Sequence, residues 1–220
     1  MISVDRLSDR KETTISHLKE HGIVPVVMDG LDGQLITLSK TTVPRGYGPL
    51  DAKLIYKMSG CELCLGINHW CLWKHIAMSG IPNAIIFEDD VRLPDNFMDM
   101  FNEEMENVPE GWDMVNLGIL YPERFSDGRC EVTHIKGKVW RFHKPNKWDG
   151  CLDGLHAYLL SASGAEKLAG MKFELHESID RYLSFTVYLK MNVYALRYSG
   201  VVQSDVTTMK RQYRFNGSAC

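Results

Sequence analysis

Ala84-Ile85-Ile86-Phe87-Glu88-Asp89-Asp90 decides how this chain is read. A short, uninterrupted apolar run of this kind reads as a buried strand of a parallel sheet. Three carboxylates follow it at once. Adjacent carboxylates repel one another, which costs stability unless a cation lies among them. In an open α/β sheet, ligands bind beyond the carboxyl ends of the strands. A hard divalent cation held there takes oxygen ligands and bridges a diphosphate. It would also neutralise charge building on a departing nucleoside diphosphate. The competing reading is a solvated acidic turn.

Upstream of that strand, Cys61 to Ser79 has a helical pattern that ends at Gly80, and Pro82-Asn83 leads into the strand. Further back, Ile2–Val4 reads as a strand. A helix capped by Ser8 or Asp9 then runs to about His21 with Gly22 as its stop, and Ile23–Met28 reads as a second strand. Strand, helix, strand predicts a parallel sheet. Residues 29–50 carry many Gly, Pro and Thr and read mostly as loop. Downstream, the pattern predicts a helix from Phe97 to Val108 and a strand over Met114–Leu117. Short strands follow at Glu131–Ile135 and Lys138–Phe142, and another at His156–Leu160. Helices run from Ser163 through Leu168 and from Glu177 or Ser178 through Leu189, before late strands at Val193–Leu196 and Val201–Val202.

The 220 residues suffice for one domain, taken as 1–208, followed by a basic polar tail at 209–220. A net charge of -3 predicts no general pull toward nucleic acid or anionic lipid. The first residues lack an apolar signal segment, and Ala84–Phe87 is far too short to span a bilayer, so the expected compartment is cytoplasmic. Six cysteines include Cys61-x-x-Cys64, but no second ligand pair completes a zinc site, and the thiols read as ordinary helix residues.

Three further constellations carry chemistry. Glu62, Gly66, His69 and Trp73 share one face of the Cys61–Ser79 helix, either as a ligand surface or as a half-buried face with a hydrogen-bonded His. Asp180, in His176-Glu177-Ser178-Ile179-Asp180, sits early in a helix, where it serves as a cap or as a general base toward an acceptor hydroxyl. The same stretch is not a zinc-protease His-Glu-x-x-His, because Asp180 stands at the second His. Gln203-Ser204 follows a late strand and offers hydrogen bonds to a sugar or phosphate.

In order along the chain, these pieces resemble glycosyltransferase family 25. Ile2-Ser3-Val4-Asp5-Arg6-Leu7-Ser8-Asp9-Arg10 is similar to the family's opening Ile-Asn-Leu-Asp-Arg-Arg-x-Asp-Arg, and Asp29-Gly30 to its Asp-Gly. Glu62-Leu63-Cys64-Leu65-Gly66-Ile67-Asn68-His69, with Trp73-Lys74 after it, resembles its Glu-Ile/Val-Gly-Cys-Ala-Leu-Ser-His. Ile85–Val91 resembles its strand and Glu-Asp-Asp motif. Gly154–Ala165 resembles its Gly-Thr-x-Ala-Tyr segment, Ile179-Asp180 its later hydrophobic-Asp, and Gln203-Ser204 its closing Gln-Ser. Asn68 stands where Ser is usual, and Cys64-Leu65 is rearranged from Gly-Cys, so divergence is expected on the acceptor side.

The resemblance implies a GT-A type, Rossmann-like α/β/α sandwich with a mostly parallel central sheet, and transfer from a UDP-sugar donor, with inversion at the anomeric carbon. It implies Mn2+ or Mg2+ chiefly on Asp90, with Glu88 toward the metal or the donor ribose as part of a DxD-like motif that includes Asp89. Val4, Asp5, Arg6 and Arg10 would border the nucleotide, joined by Glu62 and Gln203. His69 would lie near the donor sugar or diphosphate, and Asp180 would be the base. The acceptor stays open among lipopolysaccharide sugars, a hydroxylated side chain and a hydroxymethylated base of phage DNA. Lys210-Arg211-Gln212-Tyr213-Arg214 would suit a nucleic-acid backbone, whereas the negative net charge and a solvated terminus speak against one. Two rivals stand beside this reading. One is a metal-dependent phosphohydrolase or nucleotidyltransferase drawing on Asp113, Asp149, Asp153 or Asp205; the other is a non-catalytic nucleotide-sugar-binding module.

Overall fold

A computed structural model describes residues 1–35, 59–150, 152–171 and 178–204. The chain opens with β1 (Ile2–Ser3), a 3-10 turn (Asp5–Leu7), α1 (Ser8–Glu20) and β2 (Met28–Asp29). β1 and β2 pair in parallel, Ile2 opposite Met28. The strand expected over Ile23–Met28 shrinks to its last residue because Val24 and Val26 face solvent, 81% and 87% exposed, where an apolar run gains nothing from pairing. Neither Ser8 nor Asp9 caps α1; Leu7 holds the cap position without a side-chain bond. The C-terminal stop is as the sequence predicts: Gly22 has a φ of 74°, and the Ile23 amide returns to the Leu18 carbonyl at 2.9 Å.

α2 (Gly60–Met78) begins with a capping box, in which Ser59 and Glu62 bond each other's backbone amides. Then come β3 (Asn83–Phe87), β4 (Val91–Arg92), α3 (Phe97–Met105), β5 (Met114–Asn116), β6 (Cys130–Lys136), β7 (Val139–Pro145), β8 (Ala157–Ser161) and α4 (Ala162–Ala169). The last helix expected from the sequence is broken into α5 (Ile179–Tyr182), a π turn (Leu183–Val187) and a 3-10 turn (Tyr188–Lys190). β9 (Val193–Leu196) and β10 (Val202–Gln203) close the described chain.

The central sheet has six strands in the order β3-β8-β5-β9-β7-β6. It is mostly antiparallel, which corrects the expected mostly parallel sheet: only β5–β9 is a parallel pair. The reason is an insertion. β3, β5 and β9 run in one direction, but β8 enters between β3 and β5 in the other, and β6–β7 adds a hairpin at the far edge. β1 continues the sheet beyond β3 through a single parallel bridge, Ile2 to Glu88.

Both faces of the sheet are covered, so the layering is α/β/α. Ile86, Met114, Tyr158, Leu160, Val193 and Phe142 pack with Leu63, Ile67, Trp73, Ala165, Leu168 and Ile179 of α2, α4 and α5. Their neighbours Phe87, Val115, Ala157, Leu159, Tyr194 and Val139 face the other way, toward Leu18 of α1 and Phe97 and Met100 of α3. This alternation follows from the two-residue period of a strand. Ile86 and Phe87 therefore serve opposite cores, which explains why Ala84–Phe87 is apolar throughout.

Candidate active site

The shared direction of β3, β5 and β9 collects their carboxyl ends on one edge, and the opposed β8 brings its amino end there too. Backbone bonds tie these ends together. The Glu88 amide donates to the His156 carbonyl at 3.0 Å and the Leu117 amide to Ala157 at 3.0 Å. Ser199 Oγ donates to the Leu117 carbonyl at 2.5 Å. β10 pairs with β4, placing Gln203 opposite Val91, and the Ser204 amide donates to the Asp90 carbonyl at 2.7 Å. The closing Gln-Ser is thus seated beside the acidic triplet.

Within the triplet the three carboxylates part company. Glu88 Oε1 lies 3.2 Å from His69 Nε2, and His69 Nδ1 lies 2.9 Å from the Tyr158 hydroxyl, which also accepts from Trp73 Nε1 at 2.8 Å. The indole can only donate, so the Tyr158 hydroxyl is its acceptor, and His69 stands between that hydroxyl and Glu88. Burial raises the Glu88 pKa, but the His69 hydrogen bond and charge, with His156 and Arg10, outweigh it and hold the acid below its ordinary value. Asp89 is buried, with one oxygen accepting from Ser3 Oγ at 2.7 Å and the other from Arg10, while its carbonyl accepts from Thr14 Oγ1 at 2.6 Å. Asp90 is different. Arg10 comes only to 3.9 Å, and Oδ1 has no hydrogen-bond partner among the described residues. Burial, then the Glu88 charge, pushes its pKa up to about 7. The repulsion foreseen from the sequence is met by Arg10 and the His69 bond, which leave Asp90 Oδ1 as the oxygen without a partner among the described residues.

The remaining predicted residues fall in several places. Val4 is buried beside β1, and Asp5 is exposed at 3.7 Å from Lys11. Arg6 reaches Asp32 through Nε at 2.6 Å. Glu62 is occupied in the capping box. His69 and Trp73 turn inward to Tyr158, so the predicted helix face is core, with His69 touching the site only through Glu88. Asp180 lies in α5, and its charge acts on Asp153, at the start of the loop that leads to His156.

Sequence reasoning missed several residues. Asn68, read as a sign of acceptor divergence, instead clamps the backbone of Leu31: its Oδ1 accepts from the amide at 2.8 Å and its Nδ2 donates to the carbonyl at 3.2 Å. Gly30 permits this approach, since a Cβ there would lie 2.7 Å from Asn68 Nδ2. His156 is fully buried against Gly118, where a Cβ would meet its Nε2 at 2.1 Å, and neither ring nitrogen reaches hydrogen-bond geometry with a described group. Burial lowers its pKa, while the Glu88 charge and the Val201 backbone pull it up. Only its position ahead of Ala157-Tyr158 hinted at a place in the site.

Among the described residues, no three His, Cys, Asp or Glu side chains converge as a metal cage. A site of one or two carboxylates that shares its cation with a diphosphate needs no cage, and the unpartnered Asp90 Oδ1 with the neighbouring Glu88 fits that kind. The further acids considered for a phosphohydrolase do not join the triplet among the described residues. Asp113 lies at the opposite edge, bound by Lys167 at 2.7 Å, while Asp149 pairs with Arg129 and Asp153 with Arg124. Asp205 lies outside the described residues. Cys71 and Cys130 carry free thiols. Among the described residues, no helix is long and apolar enough to cross a membrane.

Comparison with known proteins finds relatives of one kind. A bovine protein named "Probable inactive glycosyltransferase 25 family member 3" is 30% identical over 76% of this chain and 28% of its own length. The mouse "Inactive glycosyltransferase 25 family member 3" is 30% identical over 76% of this chain and 28% of its own length. Zebrafish "Procollagen galactosyltransferase 1" is 25% identical over 76% of this chain and 27% of its own length. The chain therefore spans under a third of the length of these relatives. The profile of glycosyltransferase family 25 (LPS biosynthesis protein) matches residues 1–183, from β1 to the first residue of the π turn. This chain belongs to glycosyltransferase family 25.

Proposed function

We propose that the chain transfers a glycosyl group from a UDP-sugar to an acceptor hydroxyl, in a GT-A type site at the carboxyl edge of the sheet. The observation that carries this reading is the partition of the triplet, with Asp89 spent on Ser3 and Arg10, Glu88 oriented by His69, and Asp90 Oδ1 buried and unpartnered. Asp90 and Glu88 would hold Mn2+ or Mg2+, which when bound supplies positive charge to the leaving diphosphate. Arg10 holds the loop that carries both acids, and the His69–Tyr158–Trp73 chain fixes the orientation of Glu88. Asp180 takes the proton of the acceptor hydroxyl as its oxygen attacks the anomeric carbon. The bond from that carbon to the diphosphate breaks, UDP leaves with the electron pair, and the configuration inverts.

The test is UDP release from a panel of UDP-sugars, with manganese and with a chelator, beside Asp90→Asn. Release from one donor that needs manganese and is lost in the variant is expected. Failure of UDP to bind, even with manganese, would end the reading. The names of the mammalian relatives favour a second one, a non-catalytic nucleotide-sugar-binding module. UDP binding without turnover, with donor and acceptor both present, would establish it.

A further inference from the structure

Beside the triplet edge lies a second constellation that donor binding does not use. Trp148 is 63% exposed, and its ring stacks on Phe185 at 5.2 Å with an interplanar angle of 26°. The Arg181 guanidinium lies 5.1 Å from the indole centroid. Arg181 adjoins Asp180, and the charges of both act on Asp153. Asp153 accepts from Arg124 at 2.6 Å, and Arg124 in turn stacks 3.9 Å over Tyr121, itself an exposed ring. Two arginine–aromatic stacks thus flank a pair of carboxylates. Asp153 is only 8% exposed, yet its second oxygen, Oδ1, has no hydrogen-bond partner among the described residues. Orphaned buried oxygens of this sort call for a ligand or water.

The position is equally telling. Asp153 lies three residues before His156, whose carbonyl receives the Glu88 amide. Three residues of chain reach at most about 10 Å, roughly the span of one sugar ring together with a bond to it. Next to Asp153, the Gly154 carbonyl accepts from Asn116 Nδ2 at the end of β5 at 2.9 Å, so Asp153 belongs to the same carboxyl edge of the sheet as Glu88.

Resting on the glycosyl-transfer reading, the geometry points to an acceptor subsite for a neutral pyranoside. The exposed Trp148 ring would take the C–H face of the sugar, with Arg181, Asp180 and Asp153 Oδ1 taking its hydroxyls. An indole offers a large, rigid apolar face at little entropic cost. Sugar hydroxyls need donors and acceptors at its rim, and guanidinium and carboxylate groups supply both. The two arginines and two aspartates sum to zero charge. That balance suits an uncharged polyol better than a phosphate polymer, which favours net positive surfaces.

The experiment is saturation-transfer NMR on the full chain with methyl glycosides of galactose, glucose and mannose, without donor. Trp148→Ala and Trp148→Phe run alongside, with thermal melts as the fold control and UDP calorimetry on the wild type. One glycoside is expected to bind, about tenfold more weakly in Trp148→Ala and within about threefold of wild type in Trp148→Phe, as stacking on an aromatic face requires. Glycoside binding that Trp148→Ala leaves intact, or no glycoside binding at all, overturns the subsite, whether or not UDP binds. Binding at Trp148 of a hydroxylysine peptide or a hydroxymethylcytosine oligonucleotide in place of any glycoside overturns the saccharide class. Trp148-dependent glycoside binding without UDP binding would keep the subsite and reject the donor reading instead.

Discussion

Two buried aspartates at opposite edges of the sheet make an instructive pair. Asp113 is 1% exposed and Asp90 7%. Asp113 accepts from Lys167 Nζ on both oxygens, from Ser163 Oγ at 3.0 Å and from the Asn192 amide at 2.8 Å. Asp90 has an oxygen with no partner among the described residues, and its nearest cation, Arg10, stands off at 3.9 Å and is committed to Asp89. Equal burial thus conceals opposite roles. A buried acid ringed by donors holds a fold together, and one denied them destabilises the fold until something binds.

Substitutions can break or sharpen this contrast. The largest effect expected is on turnover: Asp90→Asn should lower manganese-dependent UDP release by about 100-fold or more, the scale of losing one electrostatic contact to a transition state, whereas Asp113→Asn should leave it near wild type in the same assay. Next comes stability. Asp113→Ala strands Lys167 and the Asn192 amide, and should cost about 2–3 kcal/mol in urea unfolding, a little under a fully buried pair because Lys167 can rehydrate. Tyr158→Phe tests the chain behind Glu88. It leaves the buried Trp73 N–H without its acceptor and removes the partner of His69 Nδ1, for a loss of about 1–2 kcal/mol by the same measurement.

The pH-dependent effect has the opposite sign. With its pKa pushed up to about 7, folded Asp90 keeps a proton that the unfolded chain, near 3.8, has already lost. The folded state therefore binds more protons between pH 4 and 7, and its stability falls as pH rises through that window. In chelator, Asp90→Asn should match wild type near pH 4 and gain on it steadily as the pH rises to 8. Thermal melts across that range would settle the sign, and a variant less stable at pH 8 would place Asp90 among the structural acids with Asp113.

Much of this was legible in the chain itself. The apolar run before the triplet and the Gly22 stop are local, set by side chains within a few residues of the backbone they govern, whereas the equally local Ser59-Glu62 capping box went unread because Glu62 was taken for a nucleotide contact. The mostly antiparallel sheet was not, because β8 enters between β3 and β5 from far along the sequence and nothing local announces its neighbours. The site divides in the same way. The triplet, Arg10 and Gln203-Ser204 carried a pattern, but Ser3, Thr14, Tyr158 and Asn68 are ordinary residue types whose partners lie on other elements.

By itself, then, the sequence determined most of the elements, the family, and the presence of three carboxylates at the end of a buried strand. Only the tertiary structure decided which of the three is spare. Each pKa and each hydrogen bond in the triplet depends on groups that chain folding brings from α1, α2, β8 and β10, and a carboxylate's role is set by the donors around it, which its sequence neighbours do not name.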